Sequence, residues 1–234
     1  MIPILLLGLL VGMKHALEAD HVAAVATLAT RSASLAERVK LASMWGLGHA
    51  GTLMLLGGTV LALGVSLPDR VARTFEGVVG IMLIALGLDV LRRLRGRGVH
   101  FHRHRHGAGR EHFHAHAHDP AAARAASHHD HEHEHARSLL PRALLVGTVH
   151  GLAGSAALVV LSLELTRSTA QALLYLAAFG LGSVAGMAAL SLAISLPLGV
   201  ASGRFGTAWR LVEGALGAIT VALGCWMATL LLGA

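Results

Sequence analysis

Long apolar runs recur along the whole chain, and they constrain its fold more than any other feature. There are six such runs, and several are close to the ~20 residues that cross a bilayer as an α-helix. They cover roughly residues 3–29, 41–66, 74–92, 139–163, 170–199 and 207–232. A soluble domain carries about a quarter of its residues as charged side chains, whereas this chain carries 14% and is 54% hydrophobic. The runs predict an all-α membrane protein with six transmembrane helices in a lipid bilayer.

The net charge of +6 is a signal of membrane topology, because most basic residues lie between the apolar runs. Of the 19 lysines and arginines, 15 occupy or flank the connections after the first, third and fifth runs. Cytoplasmic loops of membrane proteins are enriched in these residues. We therefore expect a multi-pass protein of the cytoplasmic membrane, with these connections inside the cell and both termini outside. A nucleic-acid partner is not expected.

The two halves of the chain resemble each other. Residues 1–92 hold the first three runs, residues 93–138 connect the halves, and residues 139–234 hold the last three. Four matches recur in one order: Gly12–Leu17 with Gly147–Leu152, Thr30–Ser32 with Thr166–Ser168, Gly46–His49 with Gly180–Ser183, and Glu76–Gly87 with Glu213–Gly224. Because three spans are an odd number, the second half must be inverted relative to the first. Two inverted three-helix repeats are typical of secondary transporters, although duplication for stability alone would give the same pattern.

The connection over residues 93–138 holds 13 of the 17 histidines. It lacks apolar periodicity, which predicts a flexible loop. Histidine tracts bind nickel, cobalt, zinc or copper at several sites, so we expect auxiliary metal capture or sensing. A solvated linker and a pH-responsive segment are the alternatives. The thirteen residues are His100, His102, His104, His106, His112, His114, His116, His118, His128, His129, His131, His133 and His135.

Polar residues interrupt the first apolar run between Lys14 and His21. Each charge at the centre of a membrane helix costs ~2.5–3.5 kcal/mol, so Lys14, Glu18 and Asp20 must face a cavity, an ion or each other. An internal Lys14–Glu18 pair is one alternative, but it leaves the histidines unexplained. His15 and His21 are ~9 Å apart along a straight helix axis, too far to share one ion. The sequence therefore predicts a distorted first span, or an ion that passes from one histidine to the other.

Two further histidines lie in apolar runs: His49 in the second and His150 in the fourth. A lone histidine in such a run is more often a packing residue. However, all four histidines outside the connection lie in spans, and His15 and His150 occupy equivalent repeat positions. The predicted metal site comprises His15, Glu18, Asp20, His21, His49 and His150. These donors suit nickel, cobalt and zinc, and the single cysteine, Cys225, argues against copper(I).

The run His15-Ala-Leu-Glu18-Ala-Asp20-His21 resembles the His-Ala-x-Asp-Ala-Asp-His signature of the nickel/cobalt transporter superfamily. Leu47-Gly48-His49-Ala50 resembles the Leu-Gly-His-Ser motif of that family, and the stretch from Val149 is similar to its short members, which include urease-accessory membrane proteins and efflux proteins. Glu18 replaces an Asp and Ala50 a Ser, and the acidic second-half signature of the eight-span members is not found. The resemblance implies roles in metal selection and transport for His15, Asp20, His21 and His49.

Residues and resemblance together predict a secondary transporter whose substrate is nickel(II) and/or cobalt(II). We expect no enzymatic activity and no cofactor; a homo-oligomer is left open. Two alternatives are an efflux protein and a membrane-bound metal chaperone or sensor for metalloenzyme maturation. An intramembrane metalloenzyme would need a motif such as HExxH, which the sequence lacks. An anion exporter would need basic rather than acidic groups at the membrane midplane.

Overall fold

The apolar runs form long helices in a computed structural model of the chain. The structure describes residues 2–30, 34–65, 67–96, 99–104, 112–117, 132–153, 166, 168–202 and 206–231. The helices are α1 (Ile2–His15), α2 (Ala19–Ala29), α3 (Leu35–Leu63), α4 (Asp69–Gly96), α5 (Glu132–His150), α6 (Thr169–Ser202) and α7 (Gly206–Ala228), followed by a 3-10 helix (Thr229–Leu231). Two strands, β1 (Val99–His104) and β2 (His112–Ala117), lie between α4 and α5.

Four helices, α3, α4, α6 and α7, are long and apolar enough to cross a membrane. The pair α1 and α2 meets the same criterion as one span bent by 62°, which gives up to five spans. The prediction of a helical multi-pass membrane protein is confirmed at this level. The predicted fourth span, 139–163, is described only in part. Leu139–His150 is a shorter apolar helix, and residues 154–163 lie outside the described residues.

The helix ends differ from the predicted span limits because charged residues extend the helices beyond their apolar centres. The third span was expected over 74–92, whereas α4 begins at Asp69 and ends at Gly96. Asp69 lies in its first turn, and Arg93 and Arg95 lie in its last. Each charge is at the helix end where the helix dipole favours its sign. The apolar run thus marks the centre of a span, and the charges mark its ends.

Glycines bring the helices of one half against those of the other. A Cβ atom on Gly12 of α1 would collide with the backbone of Phe179 in α6, and one on Gly147 of α5 with the backbone of Trp45 in α3. The repeat relates these two contacts, since Gly12 aligns with Gly147 and Phe179 with Trp45. Small residues at helix crossings allow the close backbone approach that stabilises helix pairs in a bilayer.

A second pair of contacts follows the same rule. A Cβ atom on Gly48 of α3 would collide with the carbonyl oxygen of Leu144 in α5. The aligned Gly182 of α6 meets the carbonyl oxygen of Leu9 in α1. The α1–α6 and α5–α3 crossings are therefore built from aligned residues.

The helices α4 and α7 cross glycine against glycine. A Cβ atom on Gly80 would lie 2.7 Å from the carbonyl oxygen of Gly224, and one on Gly87 would lie 2.7 Å from that of Gly217. The contacting residue numbers increase along α4, from Gly80 to Gly87, while they decrease along α7, from Gly224 to Gly217. The two helices therefore run antiparallel. Gly80 aligns with Gly217 and Gly87 with Gly224, so exchanging the two halves maps this crossing onto itself.

Alanine at Gly48 is expected to destabilise the protein, whereas alanine at Gly51 in the same helix is not. The new Cβ of Gly48→Ala would meet backbone atoms of Leu144 and Thr148, and overpacking of this kind costs ~1–3 kcal/mol. A Cβ on Gly51 meets nothing within 4 Å. Thermal unfolding in detergent should give a lower midpoint for Gly48→Ala only. Equal midpoints for the two variants would contradict the packing described above.

The histidine-rich connection was expected to be a flexible loop, but it contains a β-hairpin. The strands β1 and β2 pair antiparallel, with His100 opposite His116, His102 opposite His114, and His104 opposite His112. Both segments alternate histidine with another residue, which is the period of a β-strand. His106, His118, His128, His129 and His131 lie outside the described residues, and His133 and His135 lie in the first turn of α5. Outside this hairpin the described secondary structure is helical, so the all-α fold class holds for the spans, and the expected loop contains one two-stranded hairpin.

Candidate metal centre

The first span breaks where its polar residues occur. Helix α1 ends at His15 and α2 begins at Ala19, with a bend of 62° between them. The local charges favour this break, because Lys14 lies in the last turn of α1 and Asp20 in the first turn of α2. Each charge has the sign that its helix end stabilises. Non-helical backbone inside a membrane is tolerated where protein buries it or where it lines a cavity. The prediction of a distorted first span is confirmed.

Helix α5 ends in the same way at the equivalent histidine. The amides of Ala16, Leu17 and Glu18 donate to the carbonyls of Gly12, Lys14 and His15, and the amides of Gly151, Leu152 and Ala153 donate to those of Gly147, Val149 and His150. These two sets of residues are aligned in the repeat. Both halves therefore end a helix at a histidine with one pattern of backbone hydrogen bonds.

The bend brings His15 beside His21, although six positions separate them in sequence. Their ring centroids are 4.3 Å apart, compared with ~9 Å along a straight helix. His49 of α3 lies 5.4 Å from His15 and 5.1 Å from His21. The His150 ring at the end of α5 lies 4.2 Å from that of His21. His21, His49 and His150 are at most 1% exposed, so the four histidines form one buried cluster.

The two carboxylates of the bend have different surroundings. Asp20 Oδ1 lies 3.0 Å from His21 Nδ1, and Asp20 Oδ2 lies 2.9 Å from His150 Nε2. One carboxylate therefore joins the two halves of the protein. Glu18 Oε1 lies 2.9 Å from His15 Nδ1, in place of the alternative pairing with lysine. The Asp20 side chain is 18% exposed, whereas that of Glu18 is 59% exposed.

Every imidazole of the cluster keeps a ring nitrogen available. Within the described part of the chain, the buried imidazole nitrogens without a hydrogen-bond partner are His15 Nε2, His21 Nε2, His150 Nδ1 and both nitrogens of His49. A buried polar group without a partner costs ~1–3 kcal/mol, so these nitrogens are the candidate ligand atoms of the cluster. Metal-binding histidines usually direct their second nitrogen at a carboxylate or a carbonyl. Asp20 and Glu18 supply this carboxylate to three of the four histidines.

Two overlapping sets of donor atoms are close enough to hold one ion. One set is His15, His21 and His49, and the other is Asp20, His21 and His150; the donor atoms of each set lie within 4.8 Å of one another. Donors bound at ~2.0–2.2 Å to one ion lie roughly 3–3.5 Å apart, so a small closure would complete either set. His21 belongs to both sets and is their common member.

A cavity of about 380 Å³ extends from the cluster to Leu230 in the C-terminal 3-10 helix. His15, His21 and His150 line it, and the rest of its wall comes mainly from the bend, α4 and α7. Glu76 of α4 lines it together with the two carboxylates of the bend. The described residues that line it include no lysine or arginine. Its acidic wall favours a cation and disfavours the anion-exporter alternative.

Comparison with known proteins identifies the family. Urease accessory protein UreH of Bacillus sp. (strain TB-90) is 30% identical over 197 residues, which make up 84% of this chain and 78% of that protein. The chain belongs to the UreH family of urease accessory proteins. This is the urease-accessory branch to which the stretch from Val149, in the predicted fourth span, pointed. No family model matches the chain, and no solved structure matches it.

In this UreH-family chain, five of the six predicted metal residues meet in the cluster, and Glu18 lies at its exposed edge. Two aromatic residues of the centre carry no ligand signature in the sequence. Trp45 packs 5.5 Å from the His21 ring and 5.1 Å from that of His150, and Phe179 packs 5.2 Å from His15. The repeat aligns Trp45 with Phe179, and this match of two aromatic residues, each directly before a Gly-Leu-Gly motif, is the signal that could have found them.

Proposed function

We propose that the chain is a secondary transporter that carries nickel(II) and/or cobalt(II) across the cytoplasmic membrane. The observation that carries this proposal is the group of buried, unpartnered imidazole nitrogens at a broken membrane helix, next to an acidic cavity. Broken helices with a polar site near the bilayer midplane are typical of secondary transporters. The family's nickel/cobalt motifs in the first two spans favour nickel and cobalt over zinc.

We propose further that the chain has six spans in two inverted halves. The glycine contacts support this, because aligned residues build the equivalent crossings. Gly182 and Gly186 of α6 meet Leu9 and Met13 of α1, so these two helices run parallel, as the first and fifth of six alternating spans would. The antiparallel crossing of α4 and α7 fits the third and sixth spans. Helix α5 would supply the described part of the fourth span, which was predicted over 139–163.

The orientation and the role of the connection also belong to this proposal. The distribution of basic residues favours a cytoplasmic position for residues 93–138 and an outside position for both termini. The thirteen histidines of that segment are proposed as an auxiliary metal-binding region next to the inner face. In such a position they could store incoming ions or sense ions for export, so the direction of transport stays open between import and efflux.

A second candidate function is a membrane-bound metal chaperone or sensor for metalloenzyme maturation. Two observations favour it: the histidine-rich connection, and the description of the relative as a urease accessory protein. In that case the connection would be essential, whereas in a transporter it would be auxiliary.

Replacing the thirteen connection histidines by alanine distinguishes the transporter from the chaperone. We expect wild-type proteoliposomes to take up nickel(II) saturably in the absence of ATP, and the substituted protein to keep most of that uptake. Empty liposomes give the background, and cobalt(II) and zinc(II) are measured in parallel. Uptake that disappears with the connection histidines would support the chaperone function, and wild-type uptake no faster than the background would contradict transport.

A further inference from the structure

One acidic residue of the cavity, Glu76, lies outside the metal centre. It is partly buried and sits about two turns after the first residue of α4, Asp69. A charge inside a membrane helix costs ~2.5–3.5 kcal/mol and usually marks a pathway for ions or protons. His21 lines the same cavity; it is 1% exposed, and its Nε2 has no partner among the described residues. Glu76 thus faces the same space as a buried metal donor.

The repeat supplies a second carboxylate at the equivalent place. Glu213 of α7 aligns with Glu76, and it also lies about two turns after the first residue of its helix, Gly206. Because α4 and α7 run antiparallel, the two carboxylates lie toward opposite ends of the helix pair. Glu76 lines the open cavity, whereas Glu213 is only 4% exposed. One end of the pair is therefore open and the other is closed.

Two residues of α4 that are equivalent to wall residues of the open cavity line a second cavity, whose wall also includes Arg142 of α5. Leu223 and Trp226 of α7 line the open cavity, and the repeat aligns them with Leu86 and Asp89 of α4. Leu86 and Asp89 line a separate cavity of about 270 Å³. If the two halves exchanged conformations, the open route would run past these residues and Glu213, and the route past Glu76 would close.

We propose that Glu76 and Glu213 are paired relay sites for the divalent cation, one on each route between a membrane face and the histidine cluster. This inference rests on the proposed transport function. Each carboxylate would hold the ion briefly on its own side, and the cluster would be reached from either side in turn. Each residue would then affect metal capture from one face only.

The test is nickel(II) transport from each face, measured in vesicles sorted by protein orientation. Glu76→Gln should raise the half-saturating nickel concentration about tenfold from the face where the Glu76 cavity opens, and leave it unchanged from the other face. Glu213→Gln should do the reverse. The rate at saturating nickel should change little, and Glu76→Asp should restore most of the affinity. Asp69→Asn, which removes an exposed carboxylate from the same helix, is the matched control and should change neither face.

Equal effects on both faces, or no effect from either variant, would overturn the relay proposal while leaving transport intact. An absence of saturable nickel flux in the wild-type protein is a different result, and it would overturn the transport function and the relay with it. Because Glu213 is buried, the unfolding midpoint of each variant is measured first. If Glu213→Gln does not reconstitute, Glu213→Asp replaces it, and a change in affinity confined to the second face is still required.

Discussion

Replacing His21 by alanine is expected to abolish nickel flux and to lower the affinity for nickel(II) by at least about a hundredfold. Substitutions of residues that only support a metal ligand cost ~10–100-fold, and His21 is itself the donor shared by both sets of the cluster. Its ring also lies between those of His15 and His150, at 4.3 and 4.2 Å. No other single substitution removes a donor from both sets at once.

The measurements are nickel binding to the purified protein and nickel uptake by proteoliposomes. Both use a background in which the connection histidines are alanine, so that auxiliary binding does not hide the loss. His102→Ala in β1, made in the otherwise wild-type chain, is the matched control for loss of one imidazole and should leave flux unchanged. An unfolding midpoint close to that of the parent protein would show that His21→Ala folds. Flux within about twofold of the parent from a folded His21→Ala protein would exclude the cluster as the route.

The substitution Asp20→Asn should have the second-largest effect, although it changes no imidazole. Asp20 contacts His21 and His150 from opposite halves of the chain, so it positions two donors as well as balancing the ion's charge. Removing a unit charge about 4 Å from another changes their interaction by about 4 kcal/mol at an effective dielectric constant of 20. Even half of that energy corresponds to roughly a 30-fold loss of affinity. We expect flux near background and weak nickel binding.

Glu18→Gln is the matched control, since it removes one carboxylate from the same bend. The Glu18 side chain is 59% exposed and contacts only His15 among the ligand histidines, so solvent screens its charge. We expect a loss of nickel affinity of about tenfold at most, the low end of the ~10–100-fold range for a residue that supports a ligand. If Glu18→Gln lowered the nickel affinity as much as Asp20→Asn does, the claim that the buried carboxylate contributes more than the exposed one would be wrong.

The apolar runs predicted the helices, and the charges within the first run predicted a shared polar site. Both predictions follow from the cost of placing polar groups in lipid. That cost identifies the helices and requires the polar residues of the first span to share a cavity or an ion. The distance of ~9 Å between His15 and His21 along a straight helix also predicted a distorted span. The bend of 62° at this position confirms it.

Other features depend on contacts between distant parts of the chain, which helical spacing cannot give. At 3.6 residues per turn, a straight helix would place Asp20 on a different face from His15 and His21, but the bend turns it toward His21 and His150. The same spacing offered a pairing of Lys14 with Glu18, whereas Glu18 contacts His15 and Lys14 is exposed. Identity of the ion rests on family resemblance, because imidazole and carboxylate donors suit several metals.

The coordination shell of the bound ion tests the central claim most directly. X-ray absorption at the nickel edge is measured on the protein whose connection histidines are alanine, loaded with one equivalent of nickel(II). We predict about one tightly bound nickel per chain, with scattering from two or more imidazole rings that is lost in His21→Ala. Water-like oxygen scattering without imidazole, or no stoichiometric binding, would contradict the account.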